Sequence, residues 1–444
     1  MSKNLKIKKG FDIKLVGSPL KKIDKATTPK LVVLKPSDFK NVTPKLLVEV
    51  GDGVKAGQKI FFHKDIPAVY ITSPVSGEVV EIVRAEKRRI SEIRILADKE
   101  NSYIDFTIPV DLDKDNIKDI LLESGTWTYL RQRPFDIIPD PQFMPKSIFV
   151  SLFDSAPLAP NFSYILNKDF LKKGLSVLSI LAENKLNVGV NNDEMFKMVN
   201  ELSGINSYMV SGPHPAGNVG IHIHHKDPIK PGDQVWYVNA QDVSIIGQLF
   251  LTGHYIAKRT VALVGSGVLD PQYYEITAGQ ALIDILQSKI KDDNQRIIQG
   301  NVLTGSLSNE GDYLSHYTNQ ITVIEEGNKP EFLGWALPGF GKLSLSRSFF
   351  SWLRPKAKYN LDTNTHGEER AFVMSGQYDK VLPMNIMPVM LLKSILAQDI
   401  ERMEALGVHE ISEEDFALCE FVCTSKIEVQ KIVKEGLELI RKEG

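Results

Sequence analysis

Cysteine is nearly absent. The 444 residues hold two, Cys419 and Cys423, four apart. Two thiols cannot build a four-cysteine zinc or iron–sulfur site, and one bridge could not hold a chain of this size, so a reducing setting and an ordinary hydrophobic core are expected. An excess of one charge is missing too. With 53 basic and 55 acidic side chains the net charge is −2, so no overall field favours nucleic acid or an anionic membrane. No run of about 18 uninterrupted apolar residues occurs, which predicts no spanning helix. The basic start, MSKNLKIKKGFDIKL, lacks the apolar stretch of a secretory signal. A membrane role would therefore run through a partner. Short catalytic signatures are lacking as well. No G-x-S-x-G turn occurs, and VGSGV (264–268) has neither the third glycine nor the following helix of a dinucleotide loop.

What is present is the composition of an ordered globular protein, 43% hydrophobic and 24% charged, long enough for roughly three domains of ~100–200 residues. The pattern predicts an α/β multidomain chain. Residues 1–99 read as a biotinyl/lipoyl-like β barrel with an N-terminal extension, because short Val/Ile strands alternate with Gly/Pro/Asp turns in VEVGDGVKAGQ and SPVSGEVVEI. Such carriers display a modifiable lysine at a hairpin tip. Lys64 is the candidate here, but His63 and Asp65 flank it and no methionine does, so a structural barrel without a prosthetic group is the preferred reading. In 100–257 strands alternate with helices, as in a Rossmann-like α/β domain. Residues 258–330 suggest a β-grasp-like module of the SLBB type, and 331–444 a mainly helical region in which Cys419 and Cys423 are core thiols.

The most chemical-looking stretch is SGPHPAGNVGIHIHH (211–225), with four of the nine histidines. It follows YMV, so it sits at the carboxyl end of a strand, where open α/β sheets place functional loops. If the strand resumes, His222 and His224 share a face about 6.5–7 Å apart, a zinc-type pair of the kind a metal-dependent hydrolase would use. That reading needs further histidines, for which His254 and His316 exist, but also a bridging carboxylate scheme and the eightfold β/α repetition of such barrels, neither of which is visible. A phosphate-cradling loop is weakened where it should be strongest, because Pro213 and Pro215 remove two amide donors. The remaining reading is a rigid loop whose imidazoles bond neighbouring backbone or an adjoining protein, with neither a metal nor a catalytic residue.

Taken in order, IKKGFDI, TSPVSGEVVEI, ESGTWTYLRQRPF, SGPHPAGNVGIHIH, GQLFLTG, RIIQGNVLTG, GWALPG with SRSF, YDKVLPMNIMP and ALCEFVC resemble the NqrA family, the A-type subunits of the sodium-translocating NADH:quinone reductases (Na⁺-NQR). The resemblance runs from residue 7 to about 425 and takes in His214, Pro215, Gly217, Gly220, His222 and His224 as a signature loop. It implies an architecture similar to the flavin- and cluster-bearing NADH subunit of complex I and to the corresponding subunit of the Rnf complex. Those relatives carry a glycine-rich flavin loop after the first helix of the α/β domain and a cysteine run near the C-terminus. Here Trp127–Pro141 has no glycine and only two cysteines remain. The resemblance thus implies a peripheral subunit on the cytoplasmic side of a bacterial inner membrane that binds no cofactor. FAD, FMN, riboflavin and Fe–S centres would lie on other members of a six-subunit translocase, which oxidises NADH, reduces ubiquinone or menaquinone and pumps Na⁺. The chain would catalyse nothing alone, bind no nucleic acid and meet the membrane only through partner subunits. Quinone contact, associated with this family, points to Trp127, Tyr129, Arg131, Arg133 and Phe135, where rings stack and guanidinium groups donate to quinone carbonyls. The competing reading makes Trp127 and Phe135 core and the arginines surface.

Overall fold

A computed structural model of the chain describes residues 4–291, 294–328, 333–334 and 337–443. Trp335 and Ala336 of the GWALPG motif lie outside the described residues.

The first layer is the expected barrel. Two antiparallel sheets face one another, one built from Leu31–Leu34, Ile90–Ala97, Gly77–Arg84 and Gly53–Val54, the other from Pro44–Leu46, Lys59–His63 and Ile66–Thr72. Alternating Val and Ile side chains from both sheets, among them Val32, Ile60, Val69, Val79 and Ile95, are fully buried between them. The N-terminal extension does not join this barrel. Asn4–Lys6 pairs in parallel with Ile205–Ser211, and Ile23–Lys25 pairs in parallel with Gln272–Thr277, so the first residues tie two later sheets together.

The second sheet runs in the order Asn4–Lys6, Ile205–Ser211, Leu186–Val190, Ile148–Ser151, Val235–Asn239, Arg131–Arg133. All neighbours are parallel except the last pair. The chain moves outward from Ile148–Ser151 on one side, then returns to place Val235–Asn239 on the other. The order therefore reverses at Ile148–Ser151, the arrangement that opens a crevice at the strands' carboxyl ends. Ile148 and Val150 point into the core shared with helices Lys168–Leu181 and Ala240–Thr252, whereas Phe149 packs against Val219 and Ile223 on the opposite face. The two long helices nearly touch. A Cβ on Gly174 would run into the Val243 carbonyl oxygen, and one on Gly247 into that of Phe170, so glycine is required at both crossings.

The third sheet, ordered Ser306–Ser308, Gln295–Gln299, Gln320–Glu325, Lys258–Val264, Gln272–Thr277, Ile23–Lys25, holds the short helix Ile283–Leu286 and matches the β-grasp expectation. It is locked to the α/β layer by a buried ion pair, Arg259 to Asp242 at 2.8 Å, with Arg259 also donating to the Asn319 side chain at 2.7 Å.

The helical expectation for the last region holds from Tyr378 onward, where Pro388–Leu396, Ile400–Ala405, Ala417–Phe421 and Val429–Glu443 pack into one core with Ile7, Ile13 and Leu15 of the extension. Between 337 and 377 the only helical piece is the single turn Phe350–Leu353, because glycine, proline and serine interrupt the apolar spacing. Cys419 and Cys423 are free, buried thiols, as expected, and Cys423 Sγ accepts from the Tyr378 hydroxyl at 2.9 Å.

Candidate functional site

The segment proposed for quinone contact begins where helix Lys114–Glu123 ends. Asp113 and Asn116 cap that helix reciprocally, and Gly125 turns the chain at φ 76°, pressed so close to Thr72 of the barrel that a Cβ would lie 2.6 Å from its hydroxyl. The turn Thr126–Tyr129 and strand Arg131–Arg133 follow. Their large side chains find partners within the chain. Trp127 is fully buried, donates to the Pro139 carbonyl at 2.8 Å and meets Trp236 edge-on. Tyr129 shares a hydrogen bond with Tyr255 (3.0 Å) and stacks on the His316 ring at 5.0 Å.

The two arginines are not at the surface, so that part of the competing reading fails. Arg131 donates to the Asp136 carbonyl (2.8 Å) and carboxylate (3.0 Å) and lies over the Tyr317 ring. Arg133, with 3% of its side chain exposed, donates to Glu414 Oε1 at 2.7 Å and contacts Asp415 Oδ2 at 3.5 Å, its guanidinium over Tyr237. Burial alone would lower the pKa of each guanidinium. Asp136 for one, and Glu414 with Asp415 for the other, more than offset it. On the acid side, burial pushes the Glu414 carboxyl up to about 7 against the pull of Arg133, and also raises Asp415. Glu414 keeps 38% of its side chain exposed, so solvent softens that shift. Asp415 has none exposed. Its Oδ2 accepts from Ser412 N (2.9 Å) and Oγ (2.8 Å), while Oδ1 has no hydrogen-bond partner among the described residues.

The histidine stretch meets this seam from the other side. After Ile205–Ser211 the loop is held by Ser155, whose hydroxyl accepts from Gly217 N (2.7 Å) and pairs with His214 Nδ1 (3.0 Å). Pro215 follows in a cis peptide bond, and the amide of His214 donates to Asp12 of the extension. The chain then forms a helix, Val219–Lys226, where a resumed strand was expected. The change of period alters the geometry. Residues two apart on a strand share a face, but on a helix they point about 200° apart. His222 turns into the core, fully buried between Tyr208 and Phe153, with Nε2 on the Ala216 carbonyl at 2.8 Å. His224 turns outward to Glu410 (Nδ1 to Oε2, 2.7 Å) and accepts from Asn385 N at Nε2 (2.9 Å), while His225 donates to the Pro383 carbonyl (2.9 Å). The paired-ligand geometry of the hydrolase alternative is thereby overturned, and among the described residues no group of three His, Cys, Asp or Glu side chains is placed to hold a metal ion. Burial lowers the His214 and His222 pKa values to about 4 each, and that of His316 to about 3.

Gly220 explains why the two features coincide. It lies in the first turn of helix Val219–Lys226, and a Cβ there would collide with Asp415 Oδ1. A carboxylate of the C-terminal region thus occupies the helix start at the sheet's carboxyl end, the place where Rossmann-like domains seat a phosphate. Phe135 alone of the five quinone candidates is only partly buried. At φ 81° it lines a cavity of about 140 Å³ with Lys40, Ile137, Lys434, Leu437 and Arg441, between barrel, α/β layer and last helix. Asp136, Tyr237, Glu414 and Asp415 were not singled out from sequence. Asp136, beside the noticed RQRPF, was within reach of that reading; the acids at 414 and 415 lie 281 and 282 residues from Arg133 and carried no local signal. The hairpin tip does present Lys64 exposed, next to a buried His63 whose ring accepts from Asp65 N at 3.1 Å.

Three family descriptions match in succession: the NqrA N-terminal barrel-sandwich hybrid domain over residues 5–110, the NqrA second alpha/beta domain over 112–255, and the NQRA C-terminal domain over 260–310. The corresponding Na(+)-translocating NADH-quinone reductase subunit of Rhodopirellula baltica is 36% identical over 99% of this chain and 98% of its own. That of Aliivibrio salmonicida is 37% identical over 99% of both. The chain belongs to the NqrA family of Na⁺-translocating NADH:quinone reductase subunits. Its place in a multi-subunit, Na⁺-pumping oxidoreductase follows. Among solved structures it overlays loosely on an NAD⁺-reducing [NiFe]-hydrogenase in the H2-reduced state, with a TM-score of 0.40 and 11% identity over 75% of this chain and 62% of that one, too loose to carry an argument. No helix among the described residues is long and apolar enough to cross a membrane.

Proposed function

We propose that this chain is a peripheral subunit on the cytoplasmic side of the membrane, held by its partners in a six-subunit complex, that carries no redox cofactor and contributes assembly and one wall of a quinone site. One observation carries the reading. Asp415, its side chain fully buried, is packed between Arg133 of the segment that replaces the flavin loop and Gly220 at the helix start, so an internal carboxylate stands where an anionic cofactor group would need a free donor. A phosphate brought there would meet a like charge in a water-poor seam, which costs several kcal/mol. FAD, FMN, riboflavin and the Fe–S centre then belong to other subunits, and the chain alone catalyses nothing. The quinone contact narrows to the cavity at Phe135. Trp127, Tyr129, Arg131 and Arg133 support it from within rather than touching the ring.

Two measurements test this. The purified chain is expected to show no visible flavin absorption, and a stoichiometric flavin spectrum would overturn the cofactor reading. In the assembled complex, Phe135→Ala is expected to raise the KM for quinone roughly tenfold with NADH oxidation by soluble acceptors unchanged, the loss of one ring contact of about 1.4 kcal/mol. An unchanged quinone KM removes this chain from the site.

A further inference from the structure

Residues 338–358, PGFGKLSLSRSFFSWLRPKAK, hold five cations and no carboxylate, in a chain whose overall charge is −2. They also concentrate its exposed rings. Phe340 (53% exposed), Phe350 (52%) and Trp352 (50%) stand in solvent, joined by Leu353 (58%). Arg347, Arg354, Lys356 and Lys358 are exposed, and among the described residues none of them pairs with a carboxylate.

The segment is held in place rather than trailing. Val16 N donates to the Tyr359 carbonyl at 3.0 Å, Tyr359 N to that of Lys14 at 2.7 Å, and Lys14 Nζ to that of Pro355 at 3.0 Å. Tyr359 and Ser351 are buried beneath it. The packing thus fixes a patch in which aromatic and aliphatic side chains project beside Arg347, Arg354, Lys356 and Lys358.

We propose that this segment docks directly on an anionic lipid surface. The lysines discriminate between lipid and protein. Protein interface cores share the enrichment in Trp, Phe and Arg but are depleted in lysine, whereas Trp and Phe at headgroup depth beside Lys356 and Lys358 at phosphate level is the composition of an interfacial anchor. Each cation near an anionic leaflet strengthens binding about fivefold, so Arg347, Arg354, Lys356 and Lys358 together give roughly 10³-fold, enough to orient a subunit but not to hold it alone. The contact adds to docking through partner subunits and rests on residues that play no part in the Arg133 seam. The two readings therefore fail separately.

The test is sedimentation of the full purified chain with phosphatidylcholine vesicles, with and without roughly a quarter phosphatidylglycerol. Binding is expected only to the anionic vesicles at low salt and is lost when salt shortens the screening length. Arg354→Gln with Lys356→Gln is expected to weaken it about 30-fold. Trp352→Phe is expected to keep binding while removing a lipid-dependent blue shift of tryptophan emission. Because these side chains are exposed, melting temperature should be unchanged, which checks folding. Equal binding to both vesicle types, no binding, or full binding by the double variant overturns the proposal. So does an assembled complex in which a partner protein, and not lipid, shields 338–358 from protease.

Discussion

Two stretches of this chain read almost alike. RQRPFD (131–136) and SFFSWLRPK (348–356) both mix arginine, proline and aromatic residues, yet the fold treats them oppositely. In the first, each guanidinium is buried and meets a carboxylate of the same chain, Asp136 for Arg131, Glu414 with Asp415 for Arg133. In the second, Arg354 and Lys356 are exposed with no carboxylate paired among the described residues. The composition of a recognition motif is therefore not its address. The first stretch is an internal seam fastening the C-terminal region to the α/β layer; the second faces outward.

Removing one partner from each should separate them most sharply. Arg133→Ala leaves Asp415 buried without its counter-ion and is expected to cost about 3–5 kcal/mol, whereas Arg354→Ala stays within about 0.5 kcal/mol; equal melting temperatures for the two variants would erase the distinction. Next in size, Gly220→Val drives a side chain into Asp415 and should cost about 1–3 kcal/mol through overpacking. Proteolysis should then release the C-terminal region first. A variant as protease-resistant as the parent would show that the helix start is not sealed.

Acid should loosen the seam from the histidine side. His214 and His222, lowered to about 4 in the fold, stay neutral while the unfolded chain takes up protons. Stability present above the unfolded value of 6.5 is therefore lost as pH falls toward 4, by about 1.4 kcal/mol per pH unit for each histidine. Glu414 acts in the opposite direction. Its carboxyl is raised from 4.5 to about 7, so its contribution is present below 4.5 and lost as pH rises through about 7. Where the two ranges overlap the two histidines outweigh Glu414, so denaturant titrations should show stability rising to about pH 6.5 and then falling slightly toward about 7. With Glu414→Gln the alkaline limb should flatten while the acid limb remains. Within the seam the smallest effect is expected from His224→Ala, which forfeits the contacts to Glu410 and Asn385 for about 1–2 kcal/mol at a partly buried site. A loss as large as that of Arg133→Ala would mean the outer histidine, not the inner arginine, fastens the region.

Local sequence was enough for the barrel, the strand–helix alternation from 114 to 252 and the terminal helix, because each repeats its own period and carries its own punctuation. Asp113 before Asn116 and the apolar stripe through Val429, Ile432 and Val433 are readable without any neighbour. It was enough, too, for the family, through motifs kept in order along nearly the whole chain. The reading of IHIHH as a strand failed because a short run with apolar alternation fits either period. Packing decided, by burying Ile221 and His222 together and sending His224 to Glu410. Which arginines are internal was also beyond a one-dimensional reading. Asp415 stands 282 residues from Arg133, and only the folded chain sets that carboxylate beside both the arginine and Gly220. Local periods fix elements because their energies are settled within a few residues. Charge partners across a seam are fixed by where those elements come to rest.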